Sequence, residues 1–304
     1  MGRLPSEANP RRKGQMAETG NLITLADGRK LAYAEYGDPK GEPIFFFHGS
    51  QSCRLERHPD ESIARDRRAR VIGIDRPGHG LSDFQPDRTL LDWPDDVVAL
   101  ADALGFEKFA VMGMSAGGPY ALACAYRVPE RLTTVTIIAS AAPLDKAEVM
   151  AHMPAQAKTT FSIARRAPWL VGPMLSAQRK KILRDPEKAV APVLEKFSPA
   201  DQRVLARPEV RAILPEMFAE AYRLGHKGVA WEITAILAAP WGFSLSDVSK
   251  PVILWQGEAD TNVPVEWGQY LAGELPFCTT HFLADEGHLL IFDHFDSILA
   301  EALA

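Results

Sequence analysis

Short apolar runs separated by turns dominate the first half of the chain. Four of them are compact, at Pro43 to Phe47, Arg70 to Ile74, Phe109 to Met112 and Leu132 to Ile138. Each is followed by a turn and by a segment that can be helical. Runs of this length that are apolar throughout are typical of strands buried on both faces of a parallel sheet. The pattern therefore predicts an α/β fold.

Two local patterns add further elements to the core. Leu22 to Leu25 and Leu31 to Tyr36 flank a turn at Asp27 and Gly28, which predicts a β-hairpin. Leu90 to Leu104 has apolar residues at helical spacing, which predicts an amphipathic helix. A hairpin and a helix are therefore expected beside the parallel strands.

The pattern of apolar residues changes over residues 143–246, where helical patterns, repeated prolines and many large apolar side chains replace the short apolar runs. Strand-like runs return at Pro251 to Gln256 and Thr279 to Leu283, before a helix predicted over Leu289 to Leu303. A helical block inserted between strands of one sheet usually covers the functional face. Residues 143–246 are therefore predicted to form a helical cap.

The chain divides into three parts on this pattern. Residues 21–142 and 247–304 form the predicted core, and residues 143–246 form the predicted cap. Residues 1–20 are polar, with a basic run that no apolar segment follows, so we expect a disordered leader rather than a secretory signal.

Composition narrows the class of protein. The 304 residues include 34 Lys and Arg against 39 Asp and Glu, and 46% are hydrophobic. This composition is typical of a soluble globular chain. The slight excess of acidic residues does not indicate binding to nucleic acid or to an anionic membrane. The apolar stretch Phe109 to Tyr126 contains glycines and a proline, so it is not predicted to span a bilayer. Three scattered cysteines predict reduced thiols and a cytoplasmic location: Cys53, Cys124 and Cys278.

The sequence pattern G-x-S-x-G occupies residues 113–117, directly after the predicted strand Phe109 to Met112 and before a helical run. The glycines allow a tight turn that presents Ser115 at the end of the sheet, next to a helix amino terminus. Strand, turn and helix together are the context that a nucleophilic serine requires. Ser115 is therefore the candidate nucleophile.

A nucleophilic serine needs a base and an acid that orients the base. Asp260 follows the run Pro251 to Gln256, and His288 follows the next strand-like run. Residues at the carboxyl ends of neighbouring parallel strands can converge on one crevice. We therefore predict the triad Ser115, His288 and Asp260, with Asp75 and Asp145 as weaker candidates for the acid.

Backbone donors for an oxyanion are expected beside the nucleophile. The run Pro43 to Phe47 ends in His48, Gly49 and Ser50, so the Ser50 N–H can face the reaction centre together with the Ala116 N–H. Each such donor contributes about 3 kcal/mol. The neighbouring residues Gln51 and Met114 are the candidate substrate contacts.

These motifs resemble the α/β-hydrolase superfamily, specifically its capped, esterase-like bacterial branch. The matching stretches are residues 47–49, 75–82, 113–117, 257–264 and 287–288. The resemblance implies a mostly parallel eight-stranded sheet, a helical cap inserted after the sixth strand, and no cofactor. Many relatives have Pro-Gly after His-Gly, whereas this chain continues from Ser50 to Arg54 without it.

The leading hypothesis is a serine hydrolase that cleaves small carboxylic esters with an apolar portion. A serine at the elbow argues against dehalogenase and epoxide-hydrolase chemistry, whose relatives carry aspartate there. Lactonase, amidase, perhydrolase and C–C bond hydrolase activities use the same triad and stay open. A ligand-binding protein that retains the triad without turnover is the rival from another class. No metal-binding or phosphate-binding motif occurs in the sequence, so neither a metal nor a cofactor is expected.

Overall fold

The computed structural model describes residues 20–304. The leader predicted over residues 1–20 lies outside this range, apart from Gly20. The described residues contain eight strands: β1 (Asn21–Thr24), β2 (Lys30–Gly37), β3 (Glu42–Phe47), β4 (Ala69–Ile74), β5 (Phe109–Met114), β6 (Leu132–Ile138), β7 (Val252–Gly257) and β8 (Cys278–Leu283).

The strands form one sheet in the order β1-β2-β4-β3-β5-β6-β7-β8. β1 pairs with β2, and β2 with β4, in the antiparallel sense, whereas every pair from β4 through β8 is parallel. The register aligns the carboxyl ends, since Phe47 pairs with Gly113 and Gly257 with Leu283. The loops that follow β3, β5, β7 and β8 therefore open at one edge. This confirms the predicted α/β-hydrolase fold.

Helices cover both faces of the sheet: α1 (Ser62–Asp66), α2 (Trp93–Leu104), α3 (Gly118–Arg127), α11 (Val265–Glu274) and α12 (Ile291–Ala302). Successive residues of β3 enter opposite cores. Phe45 and Phe47 pack with α2 and α3, whereas Ile44 and Phe46 pack with α1 and α12. Because a strand alternates its side chains and both faces are covered, the sequence of β3 is apolar at consecutive positions.

Seven helices lie between β6 and β7: α4 (Ala147–Ala151), α5 (Ala155–Arg166), α6 (Val171–Arg184), α7 (Pro186–Leu194), α8 (Pro199–Leu205), α9 (Pro208–Ala221) and α10 (Lys227–Trp231). A π-helical turn, Glu232–Leu237, continues α10. We call residues 143–246 the insertion.

Several prolines of the insertion occupy helix starts, whereas Pro192 and Pro215 lie inside α7 and α9. α7, α8 and α9 each have proline in the first turn, where the missing N–H breaks no helical hydrogen bond. Asp185 caps α7 by accepting from the Lys188 N–H, and Ser198 caps α8 in the same way. Within residues 20–304, no helix is long and apolar enough to cross a bilayer.

Candidate active site

Ser115 stands on a sharp turn between β5 and α3. Its φ of 54° lies in the left-handed region, which a residue with a side chain enters only under strain. The turn is closely packed, because a Cβ on Gly117 would lie 2.0 Å from the Phe47 carbonyl oxygen. Glycine at this position therefore allows β3 to approach the turn and Ser115 to stand out at the sheet edge.

Asp260 and His288 form a hydrogen-bonded pair at the ends of β7 and β8. His288 Nδ1 lies 2.8 Å from Asp260 Oδ2, and both residues are buried. The other carboxylate oxygen accepts the N–H groups of Asn262 (2.7 Å) and Val263 (2.9 Å). With both oxygens held, Asp260 fixes the Nδ1–H tautomer of His288 and leaves Nε2 as the basic nitrogen.

The other two acid candidates are engaged elsewhere. Asp75 is fully buried and accepts from the backbone N–H and the guanidinium of Arg54, at 2.6 and 2.8 Å. Asp145 lines a separate cavity beside Trp241. The structure thus brings Asp260, and neither alternative, to His288.

The charges around His288 favour its protonated form. Burial acts to lower the pKa of His288, but the Asp260 carboxylate and its hydrogen bond outweigh burial and raise that pKa above its usual value. Asp201 and Glu56 contribute in the same direction. His288 is thus a stronger base than an isolated imidazole.

Asp201 belongs to α8 of the insertion and is not apparent from any sequence motif. It is fully buried, and its Oδ1 accepts the Leu289 N–H at 2.7 Å, while Oδ2 accepts from Ser198 Oγ at 2.7 Å. A Cβ on Gly287 would come within 2.4 Å of Asp201 Oδ1. The insertion therefore supports the loop that carries His288.

The predicted oxyanion loop follows β3 and lies against the Ser115 turn. A Cβ built on Gly49 would lie 3.6 Å from Ser115 Cβ. The Gly49 N–H donates to Glu56 Oε2 (2.9 Å), and the Gly49 carbonyl accepts from Arg76 Nη2 (2.9 Å). Within residues 20–304, no group accepts a hydrogen bond from the Ser50 N–H. That donor is therefore available to a ligand.

His48 supports the same loop with its ring. Its Nδ1 lies 2.8 Å from the Gly49 carbonyl oxygen, and its Nε2 accepts the Arg76 N–H at 3.3 Å. Burial and the Arg76 charge keep the pKa of His48 well below its usual value. A neutral ring with its proton on Nδ1 satisfies both contacts, which gives His48 a structural role.

A cavity of about 420 Å³ opens onto Ser115 and His288. The core contributes polar groups to its lining, among them Ser50 and Glu56. The insertion contributes an apolar wall made of Val193, Leu194, Phe197, Ile213, Leu214, Met217 and Phe218. A cavity of this size and character suits a small, partly apolar molecule.

The two predicted substrate contacts both line the cavity, but they differ in what else they touch. Met114 is buried in its wall. Gln51 is held by the insertion, because its Oε1 accepts from Gln178 Nε2 (2.9 Å) and from the Tyr222 hydroxyl (2.8 Å). The Gln51 side-chain oxygen therefore ties the oxyanion loop to the insertion.

Glu56 is a half-buried carboxylate in the cavity wall, and it too lies in no motif. Burial raises the pKa of Glu56, although the hydrogen bond from the Gly49 N–H opposes the shift. In the described part of the chain, no group of three His, Cys, Asp or Glu side chains is arranged to hold a metal ion.

Comparison with known proteins identifies the family. A model of the alpha/beta hydrolase fold matches residues 42–295, so the chain belongs to the α/β-hydrolase family. It is 24% identical over 284 residues to 2-hydroxymuconate semialdehyde hydrolase of Pseudomonas putida, a match that covers 92% of this chain and 91% of that protein.

Three further curated matches are shorter, and a solved structure shows the fold alone. The chain is 37% identical over 131 residues to the dihydrolipoyllysine-residue acetyltransferase component of an acetoin cleaving system of Pseudomonas putida, covering 42% of this chain and 32% of that protein. Matches to two further curated relatives also span less than half of their length. A hydrolase structure from Pseudomonas aeruginosa PA01 superposes with a TM-score of 0.70 at 20% identity, over 95% of this chain and all of that one.

Proposed function

We propose that this protein is a serine hydrolase that cleaves small carboxylic esters through an acyl-enzyme intermediate. One observation carries the proposal: Ser115 on its strained turn and His288, which is paired with Asp260, line one cavity. In support, the chain aligns over 92% of its length with one relative named a hydrolase, 2-hydroxymuconate semialdehyde hydrolase.

The proposed mechanism assigns each residue a step. Ser115 Oγ attacks the ester carbonyl while His288 Nε2 takes its proton, and Asp260 stabilises the imidazolium. The N–H groups of Ser50 and Ala116 bind the oxyanion of the tetrahedral intermediate. His288 then protonates the leaving alcohol. In deacylation His288 activates a water molecule, which releases the acid and regenerates Ser115.

We also propose that the insertion, residues 143–246, acts as a cap that selects the substrate. Its apolar side chains line the cavity that Ser115 also lines, where they would contact the acyl or alcohol portion of an ester. Substrates are accordingly proposed to be uncharged small molecules with an apolar portion. A cytoplasmic location is proposed because all three cysteines are free thiols.

The test is a time course of ester hydrolysis with substrate in large excess over enzyme. Wild type is expected to complete many turnovers, and Ser115→Ala to lose activity by several orders of magnitude while its melting temperature changes little. Release of one product per active site would instead favour the ligand-binding rival. Full activity in folded Ser115→Ala would remove Ser115 from the mechanism.

A further inference from the structure

The peptide bond between Gly49 and Ser50 is held at its carbonyl oxygen, which points away from the Ser50 N–H. In a trans peptide the C=O and N–H groups point in opposite directions. Arg76 Nη2 donates to the Gly49 carbonyl at 2.9 Å, and Arg76 Nη1 donates to the His48 carbonyl. A buried guanidinium thus fixes the plane of the peptide that carries the candidate oxyanion donor.

Arg76 is itself held by a carboxylate from the insertion. Its Nε donates to Glu232 Oε2 at 2.6 Å, and both side chains are fully buried. The guanidinium also lies 4.7 Å from the centre of the Tyr120 ring, in the helix that follows the Ser115 turn. Burial acts to raise the pKa of Glu232, but the Arg76 charge outweighs it and lowers that pKa, so the carboxylate is ionised.

We propose that Arg76 and Glu232 are positioning residues for the oxyanion hole: Glu232 orients Arg76, and Arg76 orients and polarises the Gly49–Ser50 peptide. The inference rests on the proposed function, since the Ser50 N–H matters in this way only if an oxyanion forms at Ser115. It makes the insertion part of the reaction chemistry as well as a wall of the cavity.

The physical consequence is specific to the transition state. A hydrogen bond from the Ser50 N–H strengthens as negative charge develops on the substrate oxygen, so its misplacement lowers kcat more than it raises KM. Removing a whole oxyanion donor costs about 10²–10³ in kcat, so a displaced donor is expected to cost about 10–100-fold.

Glu220 provides a matched control for Glu232. It is also a buried carboxylate of the insertion paired with a core arginine, because Arg54 Nη2 donates to Glu220 Oε1 at 2.7 Å. Arg54, however, bonds Asp75 rather than the Gly49–Ser50 peptide. Glu232→Gln and Glu220→Gln therefore remove comparable buried charges, and only the first acts on the oxyanion donor.

The experiment compares kcat, KM and the affinity for a boronic-acid transition-state analogue in wild type and both variants. Glu232→Gln is expected to lose about 10–100-fold in kcat and a similar factor in boronate affinity, with KM within about threefold. Glu220→Gln is expected to keep kcat within about threefold. Glu232→Asp, which retains the charge, should recover part of the loss.

Equal losses in Glu232→Gln and Glu220→Gln, or an unchanged kcat in Glu232→Gln, would overturn the positioning role. Should Glu232→Gln fail to fold, Arg76→Lys replaces it, because lysine cannot hold both carbonyls and Glu232 at once. It is expected to show the same kcat loss, and wild-type kcat would overturn the proposal. Wild-type protein without any ester turnover would instead refute the proposed function itself.

Discussion

At the scale of single residues, the site depends on two backbone positions, one with a strained conformation and one with no room for a Cβ. Ser115 adopts a left-handed conformation, and Gly117 lets the Phe47 carbonyl approach the turn. The G-x-S-x-G pattern in the sequence predicted this turn, because glycine spacing reports backbone geometry directly. Glu56 and Asp201 had no such signal, since a lone carboxylate becomes part of a site only through contacts distant in sequence.

Gly117→Ala should disrupt the turn, because its Cβ would lie 2.0 Å from a backbone oxygen that cannot move freely. We expect a loss of about 3 kcal/mol or more in the free energy of unfolding, together with loss of activity. Gly273→Ala, at an exposed position of helix α11 with no atom within 4 Å of the new Cβ, is the control and should gain about 0.5–1 kcal/mol. Urea denaturation measures both, and equal stability changes would contradict the packing argument.

The pH dependence of the reaction tests the charges around His288. The imidazole must be neutral to act as a base, so kcat/KM should rise with pH through the His288 pKa. Since that pKa lies above the usual 6.5, the half-maximal rate should also lie above pH 6.5. Glu56→Gln keeps an acceptor for the Gly49 N–H but removes a negative charge near His288. The pH at half-maximal kcat/KM should therefore decrease in this variant. If the pH at half-maximal kcat/KM stays the same or increases in Glu56→Gln, an effect of Glu56 on the pKa of His288 is excluded.

At the scale of elements, the sheet brings together loops that are far apart in the sequence. Pairing of β3 with β5, and of β7 with β8, in parallel register places the loops bearing Ser50, Ser115, Asp260 and His288 at one edge. The apolar runs predicted these strands because burial on both faces leaves a continuous signal. The links from the insertion to these loops were not predictable, because they depend on how α8 and α9 pack onto the core.

Asp201→Ala should weaken the loop that carries His288. It leaves the buried Leu289 N–H without its acceptor, which should lower the free energy of unfolding by about 1–3 kcal/mol. We also expect kcat to fall, because the orientation of His288 is less restricted. Asp185→Ala, which removes an exposed helix cap of the same insertion, should cost about 1 kcal/mol and leave kcat unchanged. Equal kcat values in the two variants would remove Asp201 from the support of His288.

At the scale of the whole molecule, the α/β core and the insertion contribute different groups to the site. The α/β core carries the proposed reacting groups, and the insertion provides the apolar wall together with buried contacts to both the His288 loop and the predicted oxyanion loop. The change from short apolar runs to helical patterns after residue 142 predicts a helical cap over residues 143–246. The sequence pattern does not indicate which apolar residues face the cavity. Helical spacing shows which face of a helix is buried, but not whether that face packs against the core or lines the cavity.

Phe218→Ala should change substrate preference rather than chemistry. Phe218 lines the cavity, and its removal enlarges the apolar end. The kcat/KM ratio of bulky to small esters should rise by about 10–200-fold. Trp169→Ala is the control, because Trp169 is a large aromatic of the insertion that is 70% exposed and should leave the ratio unchanged. A parallel change in both variants would contradict the assignment of this wall.

Covalent trapping of the nucleophile tests the central claim most directly. A fluorophosphonate probe reacts with a serine only when a base activates it and an oxyanion hole stabilises the adduct. Peptide mass spectrometry should place a single adduct on Ser115, an ester substrate should slow its formation, and His288→Ala should nearly abolish it. An adduct on another serine, or equal labelling of Ser115 with and without His288, would contradict the account.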